Sequence, residues 1–321
     1  MVRMRAITIE QPGGPEVLRW TEVPDPVPGQ DEVLIEVHAA GVNRADVLQR
    51  QGFYPPPEGA PPYPGMEVSG RIVGAGAGTH HWHAGQEVCA LIPGGGYAEL
   101  AVAHVGQLLP VPRNVTLEDA AALPEVAATV FSNVVDVAGI KPGETLLVHG
   151  GGSGIGTFAV QLGKALGAHV VTTARKTKHD ALTALGADRV IDYTAEDFSA
   201  TVKADVILDI IGGAYLGANV KALNEGGRLV VIGMQGGRKA ELDLAALLAK
   251  RGSVFATALR SRSIAQKTAI IRGVREEVWP LIDEGLIGPV VDSRVPLPDA
   301  AEAHRLMESS GHFGKIILTR P

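Results

Sequence analysis

Cysteine is nearly missing from this chain of 321 residues: Cys89 is the only one, so no intrachain disulfide can form. That fits a reducing compartment. The N-terminal "MVRMRAITIEQPGG" has no secretory apolar core, and no uninterrupted apolar run reaches the roughly 18 residues of a membrane span. The default address is therefore cytoplasmic, with no membrane partner expected. An excess of one charge is also missing. The 29 basic and 35 acidic residues are interspersed and leave a net charge of −6, which provides no footprint for nucleic acid. There is no G-x-S-x-G elbow, no Walker loop and no H-E-x-x-H helix. His80, His81 and His83 in "THHWH" have no cysteine beside them and no recognised ligand spacing, so they read as a solvated loop and no metal is expected. Cys89 in "EVCALI" reads as a small buried hydrophobe.

What is present is a change of rhythm. Residues 1–125 carry short β-like runs such as "RAITIE", "EVLIEVHAAGV" and "YAELAVAH", which predict a small irregular β-barrel. The segment "FYPPPEGAPPYPG", residues 53–65, holds six prolines and reads as a surface loop or cleft wall. Residues 126–265 alternate apolar strands with helical segments: 145–149, 169–173, 189–192, 205–211, 228–233 and 253–257 are the strands. Six apolar strands separated by helices predict an α/β, doubly wound parallel sheet of the Rossmann kind. Residues 266–321 are too few for a core of their own and are assigned to the first domain, which makes it discontinuous.

The first of those strands runs into "HGGGSGIGTFAVQLGKALGA", residues 149–168. Gly151 fits the tight-turn glycine of the G-x-G-x-x-G fingerprint, Ser153 replaces the close-approach glycine, and Gly156 fits the helix-packing one. Gly154 and Ile155 follow at the helix start, where unsatisfied N–H groups favour a pyrophosphate. A glycine turn with no ligand is the alternative, and its place at the first strand of the sheet argues against it. About 20 residues on, an NAD site would show an acid for the ribose. Here Thr173, Arg175, Lys176, Thr177 and Lys178 stand instead, which favours NADPH, with Arg175 and Lys178 as partners of the 2′-phosphate. A plain solvated basic loop is the competing reading. His149 ends its strand and reads as structural rather than as a base.

These residues, with "GGPEVL" 13–18, "GVNRADVLQRQGFYPPP" 41–57, "GMEVSG" 65–70, "LIPGGGYAEL" 91–100, "AAALPEVAATVF" 120–131, "DIIGG" 209–213, "LRSR" 259–262 and "HFGKIIL" 312–318, cover nearly the whole chain. They resemble the zinc-free, zeta-crystallin-like quinone oxidoreductases of the medium-chain dehydrogenase/reductase superfamily. The resemblance implies a GroES-like catalytic domain at 1–125 and 266–321, a Rossmann domain at 126–265, and a homodimer. Zinc members carry a cysteine, a Gly-His-Glu and a later cysteine; this chain has Asn43 and Gly65-Met66-Glu67, so the resemblance implies no metal.

It further implies NADPH:quinone oxidoreduction by direct hydride transfer in the interdomain cleft. Asn43 and Tyr54 would donate to the developing oxyanion of the acceptor, although each also has a local reading, as a turn residue and as a cap on the proline loop. Thr129 would contact the nicotinamide. Tyr193 would lie near the 2′-phosphate and Gly233, after "RLVVI", along the cofactor. Arg260 and Arg262 have two readings, the cofactor cleft or a dimer surface. Lys315 also has two, the cofactor phosphates or merely the start of the last strand. The rival functions are an NADPH-dependent alkenal or enoyl double-bond reductase, and a crystallin-like cofactor-binding protein with little turnover.

Overall fold

A computed structural model describes residues 3–79 and 81–320. The strands, in chain order, are β1 Arg3–Ile9, β2 Leu18–Pro24, β3 Glu32–Gly41, β4 Glu67–Ala75, β5 Glu87–Leu91, β6 Leu100–His104, β7 Leu108–Pro110, β8 Thr145–His149, β9 His169–Ala174, β10 Arg189–Asp192, β11 Ala204–Asp209, β12 Leu223–Val231, β13 Ser253–Ala256, β14 Val291–Pro296 and β15 Lys315–Thr319. They fall into two compact units, one of Met1–Ala128, Arg260–Gly285 and Pro289–Pro321, the other of Thr129–Leu259 and Leu286–Gly288.

In the first unit the hydrogen-bonded path runs β14-β15-β3-β4-β5-β7, with β6 also on β3 and with β1 paired to β2 in a separate ribbon. Strand β3 shows why. Val33, Ile35 and Val37 alternate with more exposed residues and join Val68, Ile72, Val88, Ile316 and Leu318 in one buried cluster. Register then brings three strand ends together. Ile317 pairs with Gly41 and Leu318 with Ala40 on one side of β3, while Ala40 pairs with Val68 on the other. The first residues of β15 and β4 are thereby set beside the last of β3, although Glu67 and Lys315 are 248 positions apart.

The returning segment begins with the helix Ile264–Gly273, capped by Ser263, whose hydroxyl accepts from Gln266 N at 3.3 Å. That helix does not run on regularly through "VREEVWPLIDEG". It loosens into a π-helical turn at Val274–Val278 ahead of Trp279–Asp283, because Pro280 offers no N–H to the preceding turn.

In the second unit the sheet order is β10-β9-β8-β11-β12-β13, every pair parallel. Leu146, Leu147, Val148, Ile207, Leu208, Leu229 and Val230 are buried, as expected for strands covered on both faces. The strand order reverses between β8 and its neighbours β9 and β11, so the glycine loop after β8 leaves the sheet at its switch point. The helical stretch Asp119–Val137 is long and apolar enough to pass for a membrane span, although polar residues interrupt it. Yet 78% of its most apolar window is buried inside the protein.

Candidate functional site

The glycine loop is built around close backbone approach. A Cβ on Gly156 would lie 2.3 Å from Gly150 O, so the helix Gly154–Ala165 packs onto the loop only because that position is bare. Ser153 is the N-cap: its Oγ accepts from Gly156 N at 3.0 Å and donates to Gly150 O at 2.8 Å. Its one proton is therefore held inside the loop rather than turned to a pyrophosphate. The first-turn N–H groups of Gly154 and Ile155 have no intrahelical acceptor and mark the end of a 12-residue helix. A backbone cradle at such a helix start fits a pyrophosphate.

The loop is anchored from below. Gly151 N donates to Thr173 O at 3.0 Å and Gly150 N to Thr173 Oγ1 at 3.3 Å. Thr173 is buried, so its hydroxyl serves the loop. His149 is fully buried between Phe198 and Tyr215, whose ring centroids stand 4.7 and 4.8 Å away. Burial pushes its pKa down to about 4, which makes it a neutral core histidine. Gly233 follows β12 with its backbone against Ile210; a Cβ there would meet Ile210 O at 2.6 Å.

At the far end of β9, Arg175 Nε donates to Tyr193 OH at 3.2 Å, and both side chains are exposed. Lys178 lies along Gly152, where a Cβ would come within 3.2 Å of Nζ. Asp192, beside Tyr193, turns Oδ1 to Thr194 N at 3.0 Å. Arg175 and Tyr193 are thus paired beyond the end of β9, and Lys178 lies beside the glycine loop. Thr129 is buried in the helix Pro124–Val130, and its carbonyl accepts from Asn133 Nδ2 at 2.7 Å.

In the first unit Asn43 opens the helix Arg44–Arg50. Asn43 N donates to Asp46 Oδ2 at 2.8 Å in a capping box, and the Asn43 side chain makes further bonds within the first unit. Its Oδ1 accepts from Lys315 Nζ at 2.7 Å and its Nδ2 donates to Glu67 Oε1 at 3.0 Å. Lys315 Nζ and Glu67 Oε1 are 2.5 Å apart, with both side chains almost wholly buried. Glu67 Oε2 accepts from Glu125 N at 2.9 Å. Gly41 makes room for this carboxylate, since a Cβ there would fall 2.2 Å from Glu67 Oε1. Lys315 therefore does more than start the last strand, and in this unit its contacts are Asn43, Glu67 and Val42. Asp46 also accepts from Gly65 N at 2.9 Å and Tyr97 OH at 3.3 Å, and burial raises its pKa to about 6.

The guanidinium carbon of Arg260 stands 5.4 Å from the ring centroid of Tyr54. Arg260 Nε donates to Pro93 O and Nη2 to Gln49 Oε1, both at 2.7 Å, which ties it to the first unit. Burial raises the pKa of the Tyr54 phenol, and the Arg260 charge opposes that rise. Glu67, Gln49 and the pairing of Lys315 with Asn43 do not stand out as a group in the sequence. The one available signal is the carboxylate of "GMEVSG" at the head of a buried strand, which requires a partner.

His81 and His83 are exposed, and His80 lies outside the described residues. Cys89 is fully buried in β5. Among the described residues no group of three or more His, Cys, Asp or Glu is placed to hold a metal ion.

The family described as "Alcohol dehydrogenase GroES-like domain" matches residues 29–113, and that described as "Zinc-binding dehydrogenase" matches residues 185–318. The quinone oxidoreductase of Rattus norvegicus is 32% identical over 326 residues, covering 98% of this chain and 97% of its own. The polyketide synthase GfsB of Streptomyces halstedii is 33% identical over 321 residues, 98% of this chain but 6% of that protein's length. Among solved structures, an NAD-dependent alcohol dehydrogenase has a TM-score of 0.87 at 32% identity, covering 99% of this chain and all of its own. A mycobacterial protein complexed with NADPH also reaches 0.87, at 30% identity over 98% of this chain and 99% of its own. The CurK enoyl reductase reaches 0.87 at 26% identity, with both chains fully covered.

Proposed function

The chain belongs to the medium-chain dehydrogenase/reductase superfamily and, within it, to the quinone oxidoreductase family, and on that premise we propose that it is an NADPH:quinone oxidoreductase working without zinc. The bound nicotinamide supplies the hydride. The carrying observation is the Lys315 ammonium, 2.5 Å from Glu67 and 2.7 Å from Asn43. Zinc relatives place metal ligands at the positions of Asn43 and Met66, and here a covalent cation and a thioether take that region. An ammonium 2.5 Å from the Glu67 carboxylate disfavours a dication there. Without a Lewis acid, oxidising an alcohol is difficult, whereas an electron-poor quinone carbonyl needs only neutral donors. The Tyr54 hydroxyl and the outer amide hydrogen of Asn43 are those donors.

The loop Gly151, Ser153, Gly154, Ile155 and Gly156 holds the pyrophosphate through its backbone. Arg175 and Lys178, with Tyr193, hold the 2′-phosphate and set the preference for NADPH. Thr129 and Gly233 border the nicotinamide half. The acceptor is a small molecule, and we place the enzyme in the cytoplasm as a homodimer. A second reading, reduction of an alkenal or enoyl double bond, is favoured by the likeness to the CurK enoyl reductase; Tyr54 would then protonate the α-carbon.

The test is steady-state oxidation of NADPH and NADH with benzoquinones, with naphthoquinones, with 2-alkenals and with no acceptor. Faster turnover of quinones with NADPH is expected. Tight NADPH binding without turnover of any acceptor would leave a cofactor-binding protein instead. One zinc per purified chain by elemental analysis would overturn the metal-free assignment.

A further inference from the structure

We propose that Lys315 and Glu67 act together as positioning residues for Asn43, locking its amide so that one N–H is used inside the protein and the other faces a ligand carbonyl. Only the identity of that ligand rests on the function proposed above.

An ammonium has three donors and no acceptor. Those of Lys315 go to Glu67 Oε1, to Asn43 Oδ1 at 2.7 Å and to Val42 O at 3.0 Å, which leaves none for a cofactor phosphate. Glu67 Oε1 receives Lys315 and Asn43 Nδ2, and Oε2 receives Glu125 N. The chemistry also fixes the orientation of the amide. Turned over, Asn43 would aim its NH2 at the ammonium and its oxygen at the carboxylate, like against like. Of the two Nδ2 hydrogens, one goes to Glu67, and the other has only Gly41 O at 3.4 Å, the long limit of a hydrogen bond. One donor is thus left almost unused in an otherwise closed network, on a residue that is 8% exposed.

The ammonium also polarises that donor. An amide whose oxygen accepts from a cation is a stronger N–H donor, the more so in a buried setting. The sheet supplies rigidity, because each partner stands at a strand end fixed by register: Lys315 on β15, Glu67 on β4, and Asn43 two residues beyond β3. Partners on strand ends hold an amide more closely than partners on loops would.

The experiment compares Lys315→Met with the double variant Glu67→Gln/Lys315→Met, which leaves no uncompensated buried charge and so guards against simple loss of fold. In both, kcat with a benzoquinone should fall about tenfold or more, the effect of a lost preorganised donor, while the Kd for NADPH changes less than about threefold. Asn43→Ala should cost as much alone and little more on top of Lys315→Met. By 15N NMR of the full chain, the Asn43 Nδ2 hydrogen bonded to Glu67 should exchange slowly in the native protein and about a hundredfold faster in Lys315→Met. A Kd for NADPH weakened about tenfold with kcat intact would make Lys315 a phosphate contact and overturn the proposal, as would additive Asn43 and Lys315 effects. If the native protein turns over no acceptor, the proposed function fails while amide exchange still decides the positioning: unchanged exchange in Lys315→Met overturns it.

Discussion

His149 Nε2 lies 2.7 Å from Asn219 Oδ1, and this bond gives direction to a chain that ends at the glycine loop. Asn219 uses Nδ2 on Asp209 Oδ2 at 3.1 Å, so its oxygen faces the imidazole and His149 must donate through Nε2. Nδ1 is then the acceptor, taking the Thr173 hydroxyl proton at 3.1 Å, and Thr173 Oγ1 in turn accepts Gly150 N–H. The arrangement needs a neutral ring. It makes the strand-end histidine a structural residue, because the tautomer it holds lets Thr173 support the first glycine of the loop.

That neutrality is testable against pH. Burial pushes the His149 pKa down from 6.5 to about 4. Between those values the unfolded chain takes up a proton that the folded chain refuses, so this contribution is complete above the upper value and is lost as pH falls. Asp209 works in the opposite sense, since burial raises its pKa to about 6 and acidification relieves it. His149→Gln should remove the histidine's acid loss and leave the relief. The unfolding free energy of the native chain minus that of the variant should fall by about 1.4 kcal/mol per pH unit between about pH 6 and 4.5, read from urea melts. A difference that does not vary with pH would mean that the ring is charged in the fold.

Gly156→Ala tests the cradle. Its Cβ would sit 2.3 Å from Gly150 O, a backbone atom that cannot swing aside, so the helix start must move from the loop. Strain of this kind costs about 1–3 kcal/mol of stability, and displacement of the N–H groups should weaken NADPH by about a hundredfold. Cofactor fluorescence titration beside a thermal melt separates the two effects. Native-like NADPH affinity in a folded variant would mean that the loop holds no pyrophosphate.

The sheet of the second unit was legible because each strand is a continuous apolar run, and the loop because its glycines sit at fixed offsets after the first of them. The unit containing Asn43 was legible only in its parts. "GVNRAD", "GMEVSG" and "HFGKIIL" each stood out, but what joins Asn43, Glu67 and Lys315 is strand register across 248 positions, and no local pattern encodes that pairing. Arg260 gives a second instance. In "LRSR" it reads equally as a cofactor or an interface residue, and its bonds to Pro93 and Gln49 become visible only once the chain has returned to the first unit.

The basic edge predicts a cofactor preference. The proposed function gives the 2′-phosphate to Arg175 and Lys178, and a charge-assisted bond contributes about 1.5–3 kcal/mol. Arg175→Ala/Lys178→Ala should weaken NADPH by at least about a hundredfold and NADH by less than about threefold, measured as Kd in parallel titrations. Equal weakening of both would make the edge an ordinary solvated loop.

Under the proposed function, Tyr54 and Arg260 bear on the acceptor. The guanidinium lies over the ring at 5.4 Å and its charge counters the rise that burial imposes on the phenol, so Arg260 favours the hydroxyl as a donor. Tyr54→Phe keeps the ring and the stacking but deletes that donor. Quinone kcat/KM should fall about tenfold, the worth of one hydrogen bond of about 1.4 kcal/mol, while NADPH affinity holds. Arg260→Met should lower the same parameter further, because it also releases the Pro93 carbonyl and Gln49 of the helix Arg44–Arg50. A Tyr54→Phe enzyme with unchanged kcat/KM on quinones would assign the oxyanion to the amide of Asn43 alone; a loss confined to 2-alkenals would instead mark the phenol as a proton donor to carbon.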